Sequence, residues 1–190
     1  MKTQHTRHPR EGTTMQIRRF VFGACAVLLC AVAHAEVKLS APDGILITIS
    51  APLAASTPAK TYSALVQPQH WWSGEHTWSG KAENLSLKPE AGGCFCERWA
   101  GGSVEHGRVV MAVPERMLRL DASLGPLQAL AVKGVLSFVI QQNEIGKTTL
   151  EVEYRVNGAS VSGLDKYTRD VSEVLTMQVL RLQRFIDSGN

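Results

Sequence analysis

Nine residues near the C-terminal end do most to limit the fold. Thr148, Leu150, Val152, Tyr154 and Val156 face one way along an extended chain, and Thr149, Glu151, Glu153 and Arg155 face the other. A period of two over this length is a strand with one dry and one wet face. Such a face needs a cover, and the chain supplies one directly afterwards. From Leu164 or Asp165 to Ile186, apolar residues recur at helical spacing. Leu164, Tyr167, Val171, Val174, Leu175, Leu182 and Phe185 fall on one stripe. Asp165 and Asp170 near the start, with Arg181 and Arg184 near the end, suit the helix dipole. Gln178 lands in the middle of the stripe. Burying its amide unpaired costs roughly 1–3 kcal/mol, so it pairs with a sheet group or water, or it faces a cavity.

The same alternation recurs upstream. Val37–Leu53 reads as extended, with Ile45, Ile47 and Ile49 alternating after an Asp43-Gly44 turn signal. Ser56-Thr57-Pro58 opens a short helix that runs through Tyr62, Leu65 and Val66 until Pro68 stops it. A loop holding His70 to Gly80 follows. Further strands are expected over Glu83–Leu87, Cys94–Trp99, Val104–Val113, Arg116–Ala122 and Ala131–Gln142, with Leu124–Leu130 a less regular apolar connection. Gly92-Gly93, Gly101-Gly102 and Asn143–Gly146 supply turns. The order predicts an α+β fold, an antiparallel sheet closed by one long C-terminal helix.

The N-terminus reads as an address. Arg18-Arg19 precede an apolar run, Phe20–Val32, and then Ala33-His34-Ala35, a small-x-small cleavage signal. Residues 1–35 are therefore expected to be a signal peptide, with Met15 an alternative start, and 36–190 a single domain exported to the periplasm. The run is short for a membrane span, which needs roughly 20 apolar residues, so no stable span is expected after cleavage. Five basic residues but one acidic residue lie in this leader. The remaining chain is nearly neutral, which argues against a nucleic-acid footprint.

At His70-Trp71-Trp72, Ala91-Gly92-Gly93, the Gly107–Pro114 strand and Gln178–Leu182, the chain resembles the START-like (SRPBCC) helix-grip superfamily. The resemblance is nearest to the branch related to the activator of the heat-shock chaperone ATPase. It implies a curved sheet wrapped around the long helix with an internal cavity. Members bind lipids, hormones or polyketides, cyclise substrates, or act as co-chaperones. An exported chain meets neither cytosolic ATP nor a cytosolic chaperone, so the co-chaperone role does not transfer.

Within that frame the expected ligand is an apolar small molecule or lipid, held by a monomer or weak homodimer without a cofactor. Trp71, Trp72, Trp78, Phe95, Glu97, Phe138, Tyr154 and Gln178 are the candidate ligand-binding residues. Glu97 and His106 are candidate catalytic groups for a cyclase- or hydratase-type reaction, provided that they converge in one pocket. The phase of Cys94–Arg98 is open: with Phe95 inward Glu97 follows it, whereas with the cysteines inward Arg98 does. Phe95 inward is preferred on size. Cys94 and Cys96 admit three readings, namely buried thiols, a disulfide, or a soft-metal pair assisted by His70, His76 or His106. In a regular strand their Cα atoms lie about 6.6 Å apart, at the upper edge of disulfide geometry, so a bridge needs a bulge or strong twist.

Overall fold

The computed structural model describes residues 33–189 together with Met1. The expected leader thus lies outside the described residues except at its two ends. β1 (His34–Ala41) and β2 (Gly44–Pro52) form a hairpin around Pro42-Asp43. The extended Val37–Leu53 segment is therefore two strands, split where Asp43-Gly44 signals a turn. β1 begins two residues before Glu36, the expected first residue of the processed chain.

α1 (Pro58–Leu65) is capped by the Thr57 side chain, which accepts the Lys60 N–H. Pro68 does more than end it. It opens the one-turn helix α2 (Pro68–Trp71), because a proline lacks only an N–H that the first turn leaves unused. A 3-10 turn occupies Ala82–Asn84, so β3 is shortened to Leu85–Leu87. β4 (Cys94–Trp99), β5 (Gly102–Val113), β6 (Met117–Asp121), β7 (Lys133–Gln142) and β8 (Thr148–Asn157) follow. The apolar connection after β6 is a 3-10 helix, Gly125–Leu130. A 3-10 turn at Leu164–Tyr167 leads into α3 (Thr168–Ser188), which Gly189 ends in the left-handed conformation at φ 77°.

All eight strands join one antiparallel sheet in the order β1-β2-β8-β7-β6-β5-β4-β3. The open sheet curves, and α3 packs against it, giving the helix-grip arrangement. Thr148, Leu150, Val152, Tyr154 and Val156 are all buried, as the alternation requires. Leu150, Val152, Tyr154 and Val156 meet Leu175, Val179, Leu182 and Ile186 of α3 in a single core. Each fully buried Leu there is worth roughly 1.5–3 kcal/mol. The buried stripe is narrower than the expected one. Tyr167, Val171, Val174 and Phe185 are only half-buried, and the first three border an open cleft. No helix among the described residues is long and apolar enough to cross a membrane.

Candidate functional site

The segment from Trp71 to Ser79 has little regular structure, yet it is clamped from two sides. From α3, Gln178 Oε1 accepts the Ser73 N–H at 2.8 Å, and Arg181 Nε donates to the Trp71 carbonyl at 2.8 Å. Arg181 thus serves this loop in addition to its favourable place near the helix end. From the sheet, the Glu97 carboxylate accepts the Trp78 N–H at 3.0 Å and the Ser79 N–H at 2.5 Å. The loop also ties itself together, because Trp72 Nε1 donates to the His76 carbonyl at 3.0 Å.

Glu97 has no exposed surface, so Phe95 and Glu97 both lie in the interior while Arg98 is exposed. The preferred phase of β4 is the observed one. A register slip makes the neighbourhood unusual. Phe95 pairs with Gly107 but Cys96 pairs with Glu105, which leaves His106 as the extra residue of a bulge in β5. Across the pair Glu97 faces Val104, so His106 is its diagonal neighbour, within reach of long side chains. His106 Nε2 lies 2.9 Å from Glu97 Oε2. The Phe95 ring sits 5.1 Å from the imidazole and 5.5 Å from Trp72. Burial pushes the Glu97 carboxyl up, but hydrogen bonds from Ser79, Trp78 and His106 outweigh it and hold the group below the usual carboxylate range. Burial lowers the His106 pKa, and Glu97 offsets only part of that. The pair at neutral pH is therefore a carboxylate and a neutral imidazole.

His106 borders a cleft of about 410 Å³ between α3 and the sheet. Trp72, His76, Thr77 and Trp78 form one wall, and Leu124–Leu127 form the other. Tyr154 also lines it, and α3 contributes Tyr167, Asp170, Val171, Val174, Leu175 and Gln178. Trp78 stands at 59% exposure, although it lines the cleft. The Tyr154 hydroxyl is already used: it donates to the Ala122 carbonyl and accepts the Leu124 N–H, each at 3.0 Å. Burial raises its pKa far above the phenol range. Gly134 permits this arrangement, since a Cβ there would stand 2.0 Å from the Ala122 oxygen. Gln178 differs. Its oxygen must face the Ser73 N–H, which fixes the amide orientation. Nε2 is then left buried with no partner among the described residues.

Four of the eight expected ligand residues thus line the cleft: Trp72, Trp78, Tyr154 and Gln178. Trp71, Phe95 and Phe138 instead surround a separate void of about 20 Å³ under the sheet, too small for more than about one water. Glu97 stands behind His106. His76, Tyr167, Val171 and the Leu124–Leu127 wall also line the cleft, although none of them was expected to bind ligand: His76 was considered only beside the cysteines. Tyr167 and Val171 lay on the helical stripe next to Gln178, but periodicity alone does not separate core from cleft lining.

Cys94 and Cys96 are bonded to each other, with Cα atoms 5.4 Å apart. The bridge sits where the β4–β5 register slips, the irregularity that a C-x-C bridge requires. Free buried thiols are thereby corrected, since each sulfur is already bonded. A metal would have to displace that bond. Glu105 is the third group whose ligand atom lies near the two sulfurs, all within 4.8 Å of one another, and its carboxylate is already paired with Arg108. His106 is engaged with Glu97, and His70 stacks on Phe185 at 5.7 Å.

No family model matches the chain, and no curated relative matches it by sequence. Solved structures do share its fold. A conserved protein of unknown function from Enterococcus faecalis is 11% identical with a TM-score of 0.58, over 82% of this chain and 78% of that one. A protein from Mesorhizobium loti is 18% identical with a TM-score of 0.53, over 75% of this chain and 98% of that one. DynU16, a protein of the dynemicin biosynthetic locus, is 16% identical with a TM-score of 0.54, over 75% of this chain and 47% of that one. At these identities the likeness is one of fold. The helix-grip arrangement expected from the short motifs is the one that these bacterial proteins share with this chain.

Proposed function

We propose that this chain is an exported binding protein that holds an apolar small molecule in the cleft between α3 and the sheet. The orphaned Gln178 Nε2 carries the reading. A buried N–H without a partner costs about 1–3 kcal/mol, and a ligand acceptor atom would recover that cost. The rest of the cleft is mostly aromatic and aliphatic, with few polar groups, which is how small-molecule sites are commonly built. The ligand is accordingly an apolar body with a carbonyl or ether oxygen. Trp78 at the rim would cover its exposed face. Export rests on the leader-like N-terminus. Native mass spectrometry and solvent extraction of the protein purified from its own host test the reading. A co-purifying apolar compound that raises thermal stability supports it; an empty protein that no apolar oxygen-bearing compound stabilises removes it.

A further inference from the structure

Holding a ligand needs Gln178 and an apolar wall, but it does not need the Glu97–His106 pair. The Glu97 carboxylate already accepts two backbone N–H groups from the Trp78-Ser79 segment, so the loop is anchored without the imidazole. The imidazole is placed at the cleft wall by a bulge, a device that re-aims a side chain.

The tautomer follows from the partner. An ionised carboxylate can only accept, so Nε2 carries the hydrogen toward Glu97 and Nδ1 carries the lone pair. No other hydrogen bond to this ring is found among the described residues. His76, the other imidazole that lines the cleft, lies exposed at the rim and has no carboxylate partner among the described residues.

We infer that the cleft catalyses proton transfer next to the carbonyl of an apolar ketone, with His106 as the general base and the Gln178 amide as the donor to the carbonyl oxygen. This rests on the ligand-holding reading above. In the forward step the α C–H bond breaks and its proton goes to His106 Nδ1. The electron pair forms a carbon–carbon double bond, and the carbonyl π pair moves onto oxygen, where Gln178 Nε2–H meets it. Glu97 is a positioning residue that fixes the ring and stabilises the imidazolium. Return of the proton to the α carbon gives exchange. With a β,γ-unsaturated ketone, delivery to the γ carbon gives the conjugated isomer. The enzyme is regenerated in both cases, and no co-reactant is needed.

The test uses 2-tetralone and 2-octanone, one flat and one extended, with the processed chain in D₂O. NMR follows α-deuterium uptake, and tryptophan fluorescence follows binding. The expected result is exchange at least about 100-fold above buffer, the lower end of general-base effects. His106→Gln keeps an amide donor for Glu97 but no basic nitrogen. It should bring exchange to the buffer rate with affinity changed less than about threefold. Binding without accelerated exchange, or equal exchange in His106→Gln, overturns the proton-transfer role and leaves the binding reading standing. Failure to bind either ketone overturns the ketone class, while an empty cleft in host-purified protein bears on the binding reading alone. Should His106→Gln not fold, ¹⁵N NMR of the native imidazole decides. A protonated Nδ1 at neutral pH overturns the role, and an unprotonated Nδ1 whose shift moves on ketone binding supports it.

Discussion

Gln178 on the last helix accepts the backbone N–H of Ser73, 105 residues earlier in the chain, at 2.8 Å. That bond joins α3 to the wall of the cleft and sets which end of the amide is left over. Gln178→Leu strands a buried N–H, and the expected loss is about 1–3 kcal/mol of unfolding free energy. Urea denaturation measures it. Any bound ligand with an acceptor oxygen should also bind about tenfold more weakly.

Glu97→Ala removes the acceptor for Trp78, Ser79 and His106 together. Hydrogen bonds to charged groups contribute roughly 1.5–3 kcal/mol each, and they do not add fully, so a loss of about 3 kcal/mol is expected. The physical readout is local as well. Limited proteolysis should cut between Ser73 and Gly80 in the variant under conditions that leave the native segment whole.

Acid should destabilise the protein in two stages. His106 has a lowered pKa in the fold, so the unfolded chain binds more protons as pH falls through the ordinary histidine value of about 6.5, and stability falls with it. Glu97 is also lowered. Its contribution is present above the unfolded value of about 4.3 and is lost as pH drops through the folded one. Denaturation curves from about pH 8 to about pH 2 should show the first decline near pH 6.5 and the second below about 4.3, and His106→Gln should abolish the first stage alone.

The sheet and the long helix were legible because each pattern repeats. Thr148–Val156 alternates without a fault, and Leu175 to Leu182 recurs at helical spacing. The cleft was legible in part through Gln178, a polar residue on an apolar stripe. What could not be read was register. Nothing within Glu105-His106-Gly107 announces that His106 is the extra residue, because a bulge is defined by the partner strand. For the same reason Phe95 and Phe138 resembled cleft residues; they face inward, but Trp71 and Trp72 fill the space beside them. The split of Val37–Leu53 was signalled by Asp43-Gly44, whereas the α2 turn was hidden behind Pro68, which opens a helix as readily as it ends one.

The Cys94–Cys96 bridge should matter little to global stability. Its closed loop holds only three residues, for which loop-closure entropy gives about 1.5 kcal/mol. Cys94→Ser/Cys96→Ser should therefore unfold within about 2 kcal/mol of the native chain. Alkylation of non-reduced protein followed by mass measurement should find neither cysteine labelled.

Trp78→Ala probes the rim. The side chain is largely solvated, so stability should stay within about 0.5 kcal/mol. Affinity for an apolar ligand should nevertheless fall about tenfold, followed by quenching of the remaining Trp72 emission.

The slip at His106 has a consequence for how such a chain can change. Shifting a strand by one residue reverses every side chain beyond the shift, and the hairpin from Trp99 to Gly102 sets the count between Glu97 and His106. Loss of one residue from that hairpin would present Glu105 or Gly107 to the cleft while both partners remained in the sequence. The pair is thus specified by a distance along the chain as much as by its chemistry. Insertions and deletions around Ala100 and Gly101 should be far less tolerated than substitutions there.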